Sequence, residues 1–115
     1  MRRDRVYLQH ILDSILAIQK FIKGVSKKNF LKNRLIQSAV LRELEIIGEA
    51  TKNLSREVKK KYSEIPWKKI AGMRDKLIHA YFGVDLDLVW ETIKEEIPKL
   101  ERKIREILRK EFKVF

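Results

Sequence analysis

Apolar side chains recur every three or four residues along nearly the whole chain, a period that belongs to helices and not to strands. The first stripe is Leu8, Ile11, Leu12, Ile15, Ile18 and Ile22. It predicts a helix from about Arg3 to Lys23, with Gly24 as its stop. A second set comprises Leu31, Leu35, Ile36, Ala39, Val40, Leu44, Ile46, Ile47 and Ala50. These positions cover most of the circumference of one helix from about Asn29 to Leu54, which suits the middle of a bundle or a subunit interface. Ser55 to Tyr62 reads as a short helix or turn capped by Ser55. Ile65-Pro66-Trp67 restarts the chain, and Pro suits a first helical turn. The next helix is therefore expected from about Pro66 to Phe82, ended by Gly83, with Ile70, Met73, Leu77 and Ile78 as its buried stripe. After Asp85, a four-three repeat runs from Leu88 through Val89, Ile93, Ile97, Leu100, Ile104, Ile107 and Leu108, and Pro98 is expected to kink or divide it. No strand pattern, internal repeat or linker interrupts this order. The expected fold is an all-α antiparallel bundle of four or five helices, one domain over residues 1–115.

Composition narrows the chemistry. A chain of 115 residues with 44% apolar side chains has room for one packed core, and four Gly with two Pro leave few break points. No apolar stretch is long enough to span a bilayer, and Met1-Arg2-Arg3-Asp4 leads into an amphipathic segment, so no membrane association and a cytoplasmic location are expected. The absence of cysteine removes disulfides, thiolate nucleophiles and Cys-based metal sites together. His10 and His79 are the only histidines, which rules out a multi-histidine metal site within one chain. No clustered Asp pattern demands Mg²⁺ or Mn²⁺, so neither metal nor cofactor is expected. The formal charge of +11 suggests a polyanionic partner. Spread evenly over helix surfaces, the same charge would give solubility alone. Abundant Lys, Glu and Ile also fit a thermophile's composition.

Candidate chemistry gathers in the run from Gly72 to Gly83, where Arg74 precedes His79 by five residues and Tyr81 follows it by two. A fixed cation, a group titrating near neutrality and a hydroxyl are what phosphoryl chemistry asks for. On an ideal helix Tyr81 lies within about 20° of Arg74's line, but His79 stands about 140° away. The reach of Arg74, a distorted last turn before Gly83, or a second copy of the helix across a dimer axis would bring the groups together. His79 would take the proton of a ribose 2′-hydroxyl, and Arg74 would hold the phosphate that this oxygen attacks. Arg and His near a helix C-terminus also arise simply because cations favour that end of the dipole. Two further readings stay open for Glu45 and Glu49, four apart on one face: a surface ion pair with Arg42, or a role for Glu49 in positioning Arg74 or His79. The basic run Lys59 to Lys61 is a solvated face or an extension of an RNA-binding surface. His10 falls off the first stripe and is read as a surface or partner-facing residue with no assigned role.

The chain resembles the HEPN superfamily, in its HepT-like branch, once catalogued as a domain of unknown function (DUF86). That branch's pattern is Arg, four residues, His, one residue, Tyr, and Arg74 to Tyr81 matches it, with Asp75 as the usual polar residue after the Arg. Leu44-Glu45-Ile46-Ile47-Gly48-Glu49-Ala50, Ile65-Pro66-Trp67, Gly72-Met73, and Tyr81-Phe82-Gly83-Val84-Asp85 followed by Trp90 extend the likeness from Asp4 to the last helix. The resemblance implies a homodimeric, metal-independent endoribonuclease toxin of a toxin–antitoxin pair, with RNA as its substrate and tRNA as one candidate. Arg74 and His79 would be catalytic, in a cleft between subunits. It further implies an antitoxin, an MntA-like nucleotidyltransferase, that transfers AMP to Tyr81 and so silences the toxin. AMP would add bulk and negative charge where an RNA phosphate should sit. The alternative role within the same superfamily is a non-catalytic helical module that binds substrate or nucleotide for the transferase.

Overall fold

Seven α-helical segments and one π-helical turn make up the described residues of the computed structural model, which are 1–79 and 85–114. The side chains of Arg74, Leu77, Ile78 and His79 also lie outside the described set. Helix α1 spans Asp4–Ile22, α2 Lys27–Lys32, α3 Arg34–Lys52, α4 Arg56–Lys61, α5 Trp67–His79, α6 Leu86–Glu91 and α7 Ile97–Phe112. Among these residues there is no strand, and no helix is long and apolar enough to cross a membrane. The all-α bundle expected from the periodicity is therefore the observed fold class.

Helix α1 follows the predicted stripe. Leu8, Ile11, Leu12, Ile15, Ile18 and Ile22 are all buried, and each such side chain contributes about 1.5–3 kcal/mol of transfer free energy. Lys23 closes the helix and Gly24 follows with φ of 73°, the left-handed conformation in which a Cβ would be strained. The stripe packs on both sides, because α1 lies against α3 and against α7. Gln19 Nε2 reinforces the second contact by donating to Glu101 Oε1 at 2.7 Å.

The second predicted helix is in fact two. Asn33 closes α2 in extended conformation, and its side-chain Oδ1 accepts the Ile36 N–H at 3.0 Å to start α3. An Asn that satisfies a free N–H of the new helix makes the break inexpensive. Phe30, Val40, Leu44, Ile47 and Ala50 are buried, whereas Leu31 is 36% and Leu35 80% exposed. Not every apolar position of this segment therefore faces the core of its own chain. Its central placement holds, since α3 packs against both α1 and α5.

Ser55 caps α4 as expected, its Oγ accepting the Val58 N–H at 3.2 Å. The same serine is tied to α1. Its backbone N–H and its hydroxyl both donate to the buried carboxylate of Asp4, at 2.8 and 2.6 Å. At the far end of α4, Tyr62 donates its hydroxyl to Glu111 Oε1 on α7 at 2.7 Å, and Lys61 Nζ reaches that oxygen at 2.7 Å. The lysine holds the Glu111 carboxyl below its ordinary range. Burial, and then the bond to Glu111, push the Tyr62 hydroxyl up to about 12.

The C-terminal segment is continuous from Leu86 to Phe112, starting on Asp85, whose side chain accepts the Leu88 N–H. Pro98 does not divide it. The irregularity falls just before Pro98, in a π-helical turn over Thr92–Glu96, where the Ile97 N–H reaches back to the Thr92 carbonyl. Proline has no N–H for the ladder and crowds the carbonyl four residues earlier, so one widened turn absorbs the mismatch. Lys27 pairs with Asp87 at 3.0 Å, and the rings of Phe30 and Trp90 lie 5.1 Å apart, joining α2 to α6.

Candidate active site

Helix α5 carries the motif, and its start is built from the residues the sequence singled out. Ile65 and Trp67 are buried, and the indole N–H of Trp67 donates to the Tyr62 carbonyl at 3.0 Å. The Ile70 N–H bonds to the Pro66 carbonyl, so the ladder begins at the proline, where no N–H is missed. Ile70 is buried and Met73 half-buried, and both pack on the core. These anchors press α5 onto α3.

Positions 74 and 79 thus lie on one α-helix that remains regular through residue 79. The angle of about 140° between them follows from that regularity. The side chains of Arg74 and His79, all of Tyr81, and the helix end proposed at Phe82 and Gly83 lie outside the described residues. Asp75 is described: it is exposed and accepts an ion pair from Lys52 of α3 at 3.3 Å. The pair fastens the helix at the residue next to Arg74.

Glu49 is one turn before Asn53 on α3, and the Asn53 amide donates to its carbonyl at 2.9 Å. It lines a groove of about 300 Å³ between α1 and α3, together with Tyr7, His10, Arg42, Glu45, Ile46, Ala50 and Asn53. Arg42 pairs within this groove with Glu45 at 3.5 Å, so one partner of the surface ion pair foreseen for Arg42 is Glu45. The positioning of Arg74 or His79 by Glu49 involves side chains outside the described set.

His10, read above as a surface residue with no assigned role, is exposed at the rim of that groove, with the Tyr7 ring edge-on to it at 6.3 Å. Nothing local signals this. His10 and Arg42 are 32 positions apart in the chain, and only the packing of α1 on α3 brings them to one groove. Among the described residues no three His, Asp or Glu side chains cluster as metal ligands would.

Comparison with known proteins gives this geometry its setting. The family model described as ribonuclease HepT-like matches residues 11–107, which include α3, α5 and the whole motif. A relative from Caldanaerobacter subterraneus subsp. tengcongensis, named as a candidate RNase, is 52% identical over 111 residues, 96% of this chain and 99% of that one. The probable ribonuclease HepT of Thermococcus cleftensis is 49% identical over 106 residues, 92% of this chain and 96% of that one. A protein of Methanocaldococcus jannaschii, named as a gamma-glutamylcyclotransferase and candidate RNase, is 50% identical over 109 residues, covering 94% of this chain but 49% of the longer protein. No solved structure gives a significant match. With a matched span that covers most of its length and relatives matched almost end to end, the chain belongs to the ribonuclease HepT-like family of HEPN proteins.

Proposed function

We propose that this protein is an endoribonuclease toxin that cuts RNA through Arg74 and His79 and is switched off by modification of Tyr81. The observation that carries the reading is the complete Arg74, His79 and Tyr81 pattern within the span matched to a ribonuclease family, with positions 74 and 79 on one helix backed by α3. His79 removes the proton from a ribose 2′-hydroxyl. The 2′-oxygen then bonds to the adjacent phosphorus, and the bond from phosphorus to the 5′-oxygen breaks. That oxygen takes up a proton, leaving a 2′,3′-cyclic phosphate and a 5′-hydroxyl. Arg74 holds the non-bridging oxygens and offsets the charge that grows on them. In this reading Asp75, which pairs with Lys52, and Glu49 support the two catalytic side chains.

The angle between positions 74 and 79 favours a site shared between two copies, so the active form in this reading is a homodimer. Silencing follows from the same placement. An MntA-like nucleotidyltransferase antitoxin presents ATP, the Tyr81 oxygen bonds to its α-phosphorus, and pyrophosphate leaves. The attached AMP then occupies the phosphate site with negative charge.

The test is direct. Purified protein is incubated with tRNA and other RNA in EDTA. Cleavage by wild type that is lost in His79→Ala supports the enzyme; no cleavage beyond that of His79→Ala overturns it. Light scattering is expected to show at least a dimer at micromolar concentration, and a stable monomer would overturn the shared site.

A further inference from the structure

The junction of α4 and α5 forms a shallow, open depression of about 630 Å³ lined by Lys59, Ser63, Ile65, Pro66, Trp67, Lys68 and Lys69. Its floor is apolar. Ile65 and Trp67 are buried beneath an exposed Pro66, and the Trp67 indole N–H is committed to the Tyr62 carbonyl. Its lining is basic: Lys59 comes from α4, and Lys68 and Lys69 from α5.

The pairing of the surrounding charges sharpens the observation. Lys61, the nearest lysine in sequence to this group apart from Lys60, is committed to Glu111. Among the described residues Lys59, Lys60, Lys68 and Lys69 form no ion pair. Lysines at 27, 52, 61, 99 and 110 are paired with carboxylates, whereas among the described residues Lys20, Lys23, Lys28, Lys32, Lys76, Lys103 and Lys113 are not; what sets Lys59, Lys68 and Lys69 apart is that all three line one depression. A cluster of unpaired lysines raises the local potential and attracts anions.

The position of the cluster relative to the motif is set by the helix. Position 79 lies eleven residues beyond Lys68, about three turns, so it falls within about 20° of the same line and about 16 Å along the axis. That distance is the reach of a few nucleotides of single-stranded RNA.

We propose that this depression is a phosphate-binding subsite for RNA, gripping the backbone a few nucleotides away from the bond to be cut. It rests on the ribonuclease reading of α5 and adds to it a docking site remote from the chemistry. The ammonium groups of Lys59, Lys68 and Lys69 contact successive phosphates, and the Ser63 hydroxyl donates to one of them. The apolar floor accepts the ribose or base between. Contacts of this kind carry no sequence information but set the register of the strand on the enzyme.

The test compares the full-length protein with a Lys59→Gln/Lys68→Gln/Lys69→Gln variant, using a labelled single-stranded RNA and a His79→Ala background so that binding is read without cleavage. With three contacts, the slope of log affinity against log salt should become shallower by about 2. At low salt the affinity should fall about tenfold or more. In the cleaving protein, KM for long RNA should rise severalfold while kcat holds. A charge-matched control, Lys28→Gln/Lys32→Gln/Lys103→Gln, removes three exposed lysines elsewhere. Equal slopes for the triple variant and wild type, or an equal loss in the control, would overturn the subsite. If wild type binds RNA with the predicted slope difference yet never cuts it, the subsite stands and the ribonuclease reading falls.

Discussion

Lys52 on α3 and Asp75 on α5 meet at 3.3 Å, 23 positions apart in the chain, and they join the central helix to the motif helix beside Arg74. Both side chains are well exposed, at 38% and 58%, so the pair contributes about 1 kcal/mol or less to stability. In the proposed function its role is to position the helix beside Arg74. Asp75→Asn is expected to shift the melting temperature by only a few degrees. It should nonetheless lower RNA cleavage severalfold. Equal cleavage by variant and wild type in a single-turnover assay would reduce Asp75 to a surface charge.

The two catalytic assignments predict losses of different size. With His79 as the proposed general base, His79→Ala should slow cleavage by about 10²–10⁴-fold. Arg74→Ala removes charge stabilisation and should cost about 10²–10³-fold. Both variants should keep the helical content of wild type by circular dichroism. Mixing the two inactive variants is a further check on a shared site: mixed dimers that regain part of the activity place the working Arg and His on different subunits.

Tyr81→Phe separates cutting from control. The variant should still cleave RNA but gain no mass when incubated with the cognate transferase and ATP, whereas wild type gains AMP units visible by mass spectrometry. An equal mass gain in Tyr81→Phe would place the acceptor elsewhere.

The buried end of α1 predicts a stability effect remote from the site. Asp4 is 2% exposed and accepts two hydrogen bonds from Ser55. Asp4→Ala leaves that N–H and hydroxyl without their partner and should cost about 2–3 kcal/mol in chemical denaturation. Ser55→Ala also removes the α4 cap, worth about 1 kcal/mol. Because the two share partners, the double variant should lose less than the sum.

Tyr62 predicts an alkaline limit. Unfolded tyrosine titrates near 10, and in the fold burial and the bond to Glu111 raise the hydroxyl to about 12. Between those values the unfolded chain binds fewer protons than the folded one, so stability falls as pH rises. This contribution is fully present below pH 10 and is lost as pH climbs through 12. Subtracting the pH profile of Tyr62→Phe, in which Lys61 still meets Glu111, isolates it from the titration of the lysines. Parallel profiles for the two proteins would overturn the assignment.

Helix periods, the cap at Ser55, the stop at Gly24 and the spacing of Arg74, His79 and Tyr81 were legible in the sequence alone. Each depends on residues within a few positions of one another, and a cap or turn closes on atoms its own segment supplies. Asn33 carried the same kind of local signal, since its side chain caps α3, but the apolar run on either side of it obscured the break. What only the tertiary structure decided is which apolar side chains stay in water and which distant groups converge. Leu35 fits the stripe and is nevertheless 80% exposed, although α2 packs against the same end of α3. The groove of His10, Arg42 and Glu49, the Lys52–Asp75 pair and the lysine-lined depression at Pro66 each join separate helices. Period specifies a face for each helix; the neighbour that meets that face is chosen by the packing of the whole chain, and there the candidate site is assembled.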